Sequence, residues 1–177
     1  MSDILNSGKT PMQTVLKLAV PSIMEQLLLS LAGLIDTAMV GTLGAAATAS
    51  IGINAATVWL IQGLITAVSV SFMYIVARKI GEGRLDEAKK AARESMTFSL
   101  IFGAALAVII FFLSPMLPVW LGAEGDVITL ADTYMRIVGI SFLFLTVTNV
   151  LSSVIRSSGN AKIPLFINTA ANILNII

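Results

Sequence analysis

One aspartate lies inside an apolar segment, residues 34–44 (LIDTAMVGTLG). From Leu18 to Val40 the chain is long enough to cross a bilayer, for which about 20 apolar residues suffice. A charged aspartate at the bilayer centre costs at least about 2.5–3.5 kcal/mol, so such residues usually face a bundle interior or a water-filled cavity. Asp36 is therefore predicted to be a cation or proton site. The alternative is a carboxyl that is simply protonated or hydrogen-bonded to a neighbouring helix.

A second acid, Glu25, lies on the same predicted helix. At 100° per residue, the eleven residues to Asp36 make nearly three full turns, which places both acids on one face about 16 Å apart. One acid near the cytoplasmic entrance and one deeper would serve a cation path. Glu25 is equally well explained as a boundary carboxylate that bonds to the backbone of a neighbour.

Two further segments carry polar side chains at helical spacing. Asn168, Asn172 and Asn175 form one stripe, and Asn149 lies among hydroxyl residues in the preceding apolar segment. Carboxylate with amide and hydroxyl oxygens suits Na⁺, and the carboxylate alone would suit H⁺. Taken singly, each amide is explained by interhelical hydrogen bonding, worth about 0.6 kcal/mol. Together with a buried acid they predict a polar pocket, on which Asp36, Asn149 and Asn175 should converge.

The composition indicates an integral membrane protein. The sequence is 56% apolar and 12% charged with a mean hydropathy of +0.92, whereas soluble domains are about 25% charged. There is no cysteine or histidine, which excludes disulfides, thiol chemistry and imidazole relays. No nucleotide motif or nucleophile–base pair is present, so neither an enzyme nor a cofactor is expected. The net charge of +1 gives no reason to expect a nucleic acid partner.

The elements that would position these residues are predicted to be five membrane spans in an all-α, polytopic helix bundle. Their approximate bounds are 15–40, 48–77, 95–113, 129–155 and 163–177. Pro21 is placed near the start of the first span, where a missing N–H is tolerated. The fifth span would be only about 22 Å long, short of a core of about 30 Å. The sequence is therefore expected to be a piece of a longer chain.

Basic residues predict the orientation. Lys and Arg gather before span one, between spans two and three and between spans four and five, and the loops at the other face carry only acids. The positive-inside rule then places the amino terminus in the cytoplasm. Arg136 is the exception, and Asp132 one turn earlier is predicted to pair with it. Residues 84–94, with opposite charges three and four apart, are predicted to be a solvated helix leading into span three.

Several segments, in order along the chain, resemble multidrug and toxic compound extrusion (MATE) transporters. These are residues 18–23 (LAVPSI), 33–44 (GLIDTAMVGTLG), 77–83 (ARKIGEG), 154–164 (VIRSSGNAKIP) and 172–177 (NILNII). The resemblance implies an antiporter of twelve helices in two six-helix lobes. Such a protein expels organic cations across the cytoplasmic (inner) membrane in exchange for Na⁺ or H⁺.

On this resemblance, residues 1–177 are a single transmembrane domain, five helices of the amino-terminal lobe with the fifth incomplete. Its partners would be membrane lipids, organic cations and the missing second lobe. Matched by position, the coupling-ion site falls on Asp36 and Asn175, where Na⁺ would bind, and less securely on Asn149. Glu25, Asn172 and Asn168 would extend the cation path, although Glu25 is not carried over from the family.

Two other functions remain open on the sequence. A lipid-linked saccharide flippase of the same superfamily would need cationic residues in a central cavity to hold phosphate, and within the spans only Arg136 is cationic. A non-transporting membrane subunit would assemble through small-residue faces such as the one that includes Gly103.

Overall fold

The computed structural model describes residues 11–176. Within that range it describes all side chains except those at positions 11, 13, 14, 17, 18, 25, 36, 172 and 174–176. The described chain is entirely helical apart from turns, with α1 Pro11–Gly41, α2 Ala45–Gly81, α3 Leu85–Leu113, α4 Leu117–Trp120, α5 Asp126–Ser157 and α6 Lys162–Ile176. The all-α bundle predicted from the sequence is confirmed.

Long uncharged stretches form the helices, and glycines end them. Gly44, Gly83 and Gly159 occupy the turns with φ of 105°, 75° and 85°, a region that L side chains rarely adopt. By length and composition, four of the described helices are apolar enough to cross a membrane: most of α1, together with α2, α3 and α5. Each of the five predicted spans falls within one of the long helices, apart from residue 177, which lies outside the described residues.

Two local predictions differ from the structure. Pro21 lies inside α1 rather than in its first turn, because the helix already begins at Pro11. Membrane helices accept an interior proline where neighbouring groups satisfy the freed carbonyl. The sequence also gave no reason to expect the four-residue α4, which has Pro118 in its first turn and buries that ring.

The core of the bundle lies between α2, α3 and α5. Ile65, Met135 and Phe142 are almost fully buried there. The antiparallel helices α3 and α5 approach closely at two glycines. A Cβ added at Gly103 would lie 3.1 Å from the backbone of Leu143, and one added at Gly139 would lie 2.9 Å from Ile110 Cγ2. Small residues permit such approach between membrane helices.

Several hydroxyl groups are buried in the same core and bond to their own helices. Ser69 on α2 donates to the carbonyl of Ile65 at 2.8 Å. Ser99 on α3 donates to Met96 at 2.8 Å. Thr146 on α5 donates to Phe142 at 2.6 Å. The hydroxyl protons are thus satisfied without crossing to a neighbouring helix.

An ion-pair network occupies the turn between α2 and α3. Arg78 and Arg84 both contact Glu82, at 2.8 and 3.2 Å, and Lys79 contacts Glu87 at 2.8 Å. Hydrogen bonds from Arg78 and then Arg84 lower the pKa of the Glu82 carboxyl below its ordinary value. Residues 85–94 are the first turns of α3 itself, so the predicted solvated helix is continuous with span three.

Candidate functional site: a polar cavity between α1, α2 and α5

A cavity of about 900 Å³ opens between three of the long helices. It exists because α1 packs mainly against α6 and only lightly against α2, whereas α2 and α5 pack closely together. The wall that α1 contributes includes Gln26, Ser30, Gly33 and Thr37, which are spaced at three and four residues and so lie on one helix face. The helix therefore presents a polar stripe to the cavity.

The opposite wall comes from α2 and α5. Trp59, Gln62 and Thr66 of α2 recur at three and four residues, and Leu145 and Asn149 are one turn apart on α5. Asn149 is half-buried. Its Nδ2 donates to the Leu145 carbonyl of its own helix at 2.9 Å. The Oδ1 acceptor of Asn149 is therefore left for a ligand or for water.

Of the six site residues predicted from the sequence, Asn149 is the one placed in the cavity wall. Asp36 lies on α1 directly before the cavity-lining Thr37, but its side chain falls outside the described residues, as do those of Glu25, Asn172 and Asn175. Asn168 is half-buried on α6 and is not among the described residues lining the cavity. The convergence of Asp36 with Asn175 stays a prediction, although the helices that carry them pack together.

Sequence reasoning missed two glutamines. Gln26 is at the midpoint of α1, and Gln62 is close to the middle of α2. The signal was present, because an amide inside an apolar span needs a polar environment for the same reason that an aspartate does. The asparagines of α6 were predicted as site residues because they recur at helical spacing, whereas neither glutamine belongs to such a repeat.

A second polar cluster lies at the opposite end of the bundle from the ion-pair network. Arg136 Nε donates to Asp132 Oδ1 at 2.9 Å, which confirms the predicted pair. Buried Ser114 donates to the same oxygen at 2.6 Å and ties the end of α3 to α5. The Arg136 guanidinium also lies 5.1 Å from the centre of the Phe111 ring. This cation is held by structural partners and does not line the cavity.

A protein-family comparison matches residues 21–177 to the family model MatE. The match covers nearly the whole chain, including every residue of the described cavity wall. The chain belongs to the MatE family. The family resemblance found in the sequence is confirmed.

Curated relatives give the same family. The probable multidrug resistance protein NorM of Thermotoga maritima is 24% identical over 162 residues, which is 92% of this chain and 35% of that protein. The probable multidrug resistance protein YpnP of Bacillus subtilis is 31% identical over 151 residues, 81% of this chain and 32% of that protein. The chain thus spans about a third of the length of these relatives.

Solved structures match the fold. A MOP superfamily transporter from Pyrococcus furiosus superposes with a TM-score of 0.91 at 24% identity, over 98% of this chain and 38% of that one. The helix arrangement of this MatE chain is therefore that of part of a known transporter fold. Members of the MatE family are transporters rather than enzymes, in agreement with the sequence-based prediction.

Proposed function

We propose that this MatE chain is the amino-terminal part of a multidrug efflux antiporter that exports organic cations in exchange for Na⁺ or H⁺. The observation that carries the proposal is the polar cavity at mid-helix depth between α1, α2 and α5. Its volume of about 900 Å³ lies in the range of about 300–1,000 Å³ typical of small-molecule sites. Family membership supports a transport role for it.

The coupling ion would bind at Asp36, with Asn175 and Asn149 as neutral oxygen ligands. In support, Asn149 keeps its Oδ1 free in the cavity wall, and α1 packs alongside α6, which carries Asn175. Glu25, Asn172 and Asn168 would extend this path. Na⁺ would use the Asp36 carboxylate and both amide oxygens, whereas a proton would need the Asp36 carboxylate alone. The ion is cargo here and not a resident cofactor.

A flippase for lipid-linked saccharides is less well supported. Holding phosphate would call for lysine or arginine in the cavity, and the described lining residues include neither. Arg136 is instead paired with Asp132. A non-transporting subunit is disfavoured by the relatives, whose names describe drug-resistance proteins about three times longer than this chain.

The test is transport by the complete protein reconstituted in liposomes. An imposed Na⁺ gradient or an imposed proton gradient should drive export of a fluorescent organic cation against its own gradient. Collapse of the driving gradient with the matching ionophore should stop export. If neither gradient drives export of any organic cation in a correctly oriented preparation, the antiporter proposal is wrong.

A further inference from the structure

The amides of Gln26 and Gln62 have no hydrogen-bond partner among the described residues, although both lie within candidate membrane spans, Ala19–Gly41 and Ala45–Gly81. Both side chains are exposed in the structure and both line the cavity. Hydrocarbon cannot satisfy an amide, which makes a lipid-facing position unfavourable. Both amides are therefore exposed to the cavity. Each offers a carbonyl oxygen and two N–H groups to a ligand.

Three other polar residues of the described wall each use one donor within their own helix and keep their oxygen acceptors. The Ser30 hydroxyl donates to the Gln26 backbone carbonyl at 2.9 Å, and the Thr37 hydroxyl donates to the Gly33 carbonyl at 2.8 Å. One N–H of Asn149 is likewise used within α5. Each of these groups retains oxygen lone pairs that can accept a hydrogen bond. The oxygens of the described wall thus carry more free lone pairs than the wall has free N–H and O–H groups, even when the Thr66 hydroxyl and the indole N–H of Trp59 are counted.

An aromatic surface accompanies these acceptors. Trp59 lies one turn before Gln62 on the cavity face of α2, and its side chain is 74% exposed. Indole is the best aromatic partner for a cation placed over its face. It also offers a flat apolar area on which a planar ring can stack.

We infer that this wall selects planar aromatic cations that carry N–H donors over cations of similar size that carry none. Gln26 and Gln62 would accept the N–H groups, while Trp59 would hold the ring and its positive charge. The inference rests on the proposed function and adds a substrate preference to it. The residues that set the preference are on α1 and α2 and are separate from the proposed coupling-ion ligands.

The test compares two probes in the complete protein. Ethidium is planar and has aromatic amines that donate N–H, whereas tetraphenylphosphonium is an aromatic cation without any N–H. Replacing Gln62 or Gln26 with Leu should weaken ethidium binding by about tenfold and leave tetraphenylphosphonium binding within about twofold. Gln62→Asn, which keeps an amide, should restore part of the preference. Trp59→Leu should weaken binding of both probes by about fivefold.

The matched control is Ser71→Leu, an exposed polar position on α2 outside the described cavity wall, which should bind both probes as the unmodified protein does. Equal changes for both probes in the glutamine variants, or no change for either, would overturn the inference while the antiporter proposal stands. If the unmodified protein binds neither probe, the inference is likewise overturned, whereas the proposed function fails only if neither gradient drives export of any organic cation. Binding is measured by fluorescence titration or calorimetry and export by gradient-driven efflux.

Discussion

The side-chain amide of Asn54 on α2 donates to the backbone carbonyl of Ala131 on α5 at 3.0 Å. The same Nδ2 also donates to the Ser50 carbonyl of its own helix at 3.0 Å. Asn54 is fully buried, and its Oδ1 has no partner among the described residues. One side chain therefore joins two helices that carry the cavity wall, while leaving one buried acceptor unsatisfied.

Removing this link should destabilise the bundle modestly. Asn54→Ala loses the contact to Ala131 and leaves space in a closely packed interface, so we expect a loss of about 1 kcal/mol, within the range measured for polar contacts in membrane helices. The measurement is reversible unfolding in mixed detergent. Thr48→Ala, at an exposed hydroxyl that donates to the Gly44 carbonyl directly before α2, is the control. Equal stability of Asn54→Ala and the unmodified protein would show that the bond makes no net contribution.

A larger side chain at Gly103 should force α3 and α5 apart. Even a single added Cβ would meet Leu143 backbone atoms at 3.1 Å, and backbone cannot move aside as a flexible side chain can. We expect Gly103→Val to destabilise the protein by about 1–3 kcal/mol. In Gly63→Val, on α2, nothing lies within 4 Å of the added Cβ, so this variant controls for helix propensity. Similar melting temperatures for the two variants would contradict the close packing.

Asp36→Asn should abolish coupled efflux without impairing insertion. The substitution keeps the shape of the side chain and removes the charge that would bind Na⁺ or exchange a proton, and it should ease entry into the membrane. Efflux from cells and the amount of protein in the membrane are both measured. Full efflux by a well-expressed variant would remove Asp36 from the coupling site.

The orientation can be tested directly because the sequence has no cysteine. Single cysteines replacing Asp86 and Ser158, both exposed, should be labelled from the cytoplasmic side by a membrane-impermeant maleimide. A cysteine replacing the exposed Glu124 should be labelled from the outside. The positive-inside rule underlies this assignment. The reverse labelling pattern would invert the topology.

Titration of Glu82 should reveal its contacts with Arg78 and Arg84. The pKa of this carboxyl is lowered in the folded protein. The ionised carboxylate therefore stabilises the folded state fully at pH values above its unfolded pKa of about 4.3. This contribution is lost as the pH falls through the folded pKa. Because the contacts are exposed, the effect should be small and weakened by salt. Glu82→Gln should melt slightly lower than the unmodified protein at neutral pH, with the difference vanishing in acid. A difference in melting temperature that persists at low pH would show that Glu82 acts through side-chain packing rather than through its charge.

The sequence predicted the helices well because charges and glycines mark their ends. It predicted the Asp132–Arg136 pair because one helix turn separates them. The third partner, Ser114, is 18 positions away from Asp132, and no local pattern connects them. Among the described residues that line the cavity, Asn149 is the one that the sequence predicted as a site residue. The contributions of Gln26 and Gln62 depend on which side of each helix is left uncovered, and that follows from how α1, α2 and α5 pack.

The hydroxyls buried between α2, α3 and α5 donate to their own helix backbones. If α3 were to slide along α5 by a fraction of a turn, these bonds would travel with their helices and none would have to break. The resistance to such a shear would come from dispersion contacts, including those where α3 and α5 pack closely at Gly103 and Gly139. By contrast, Asn54 and Ser114 bond to a neighbouring element. A slide of α3 along α5 would therefore meet its polar resistance at the bond between Ser114 and Asp132, at the end of the bundle where Asn54 also joins α2 to α5.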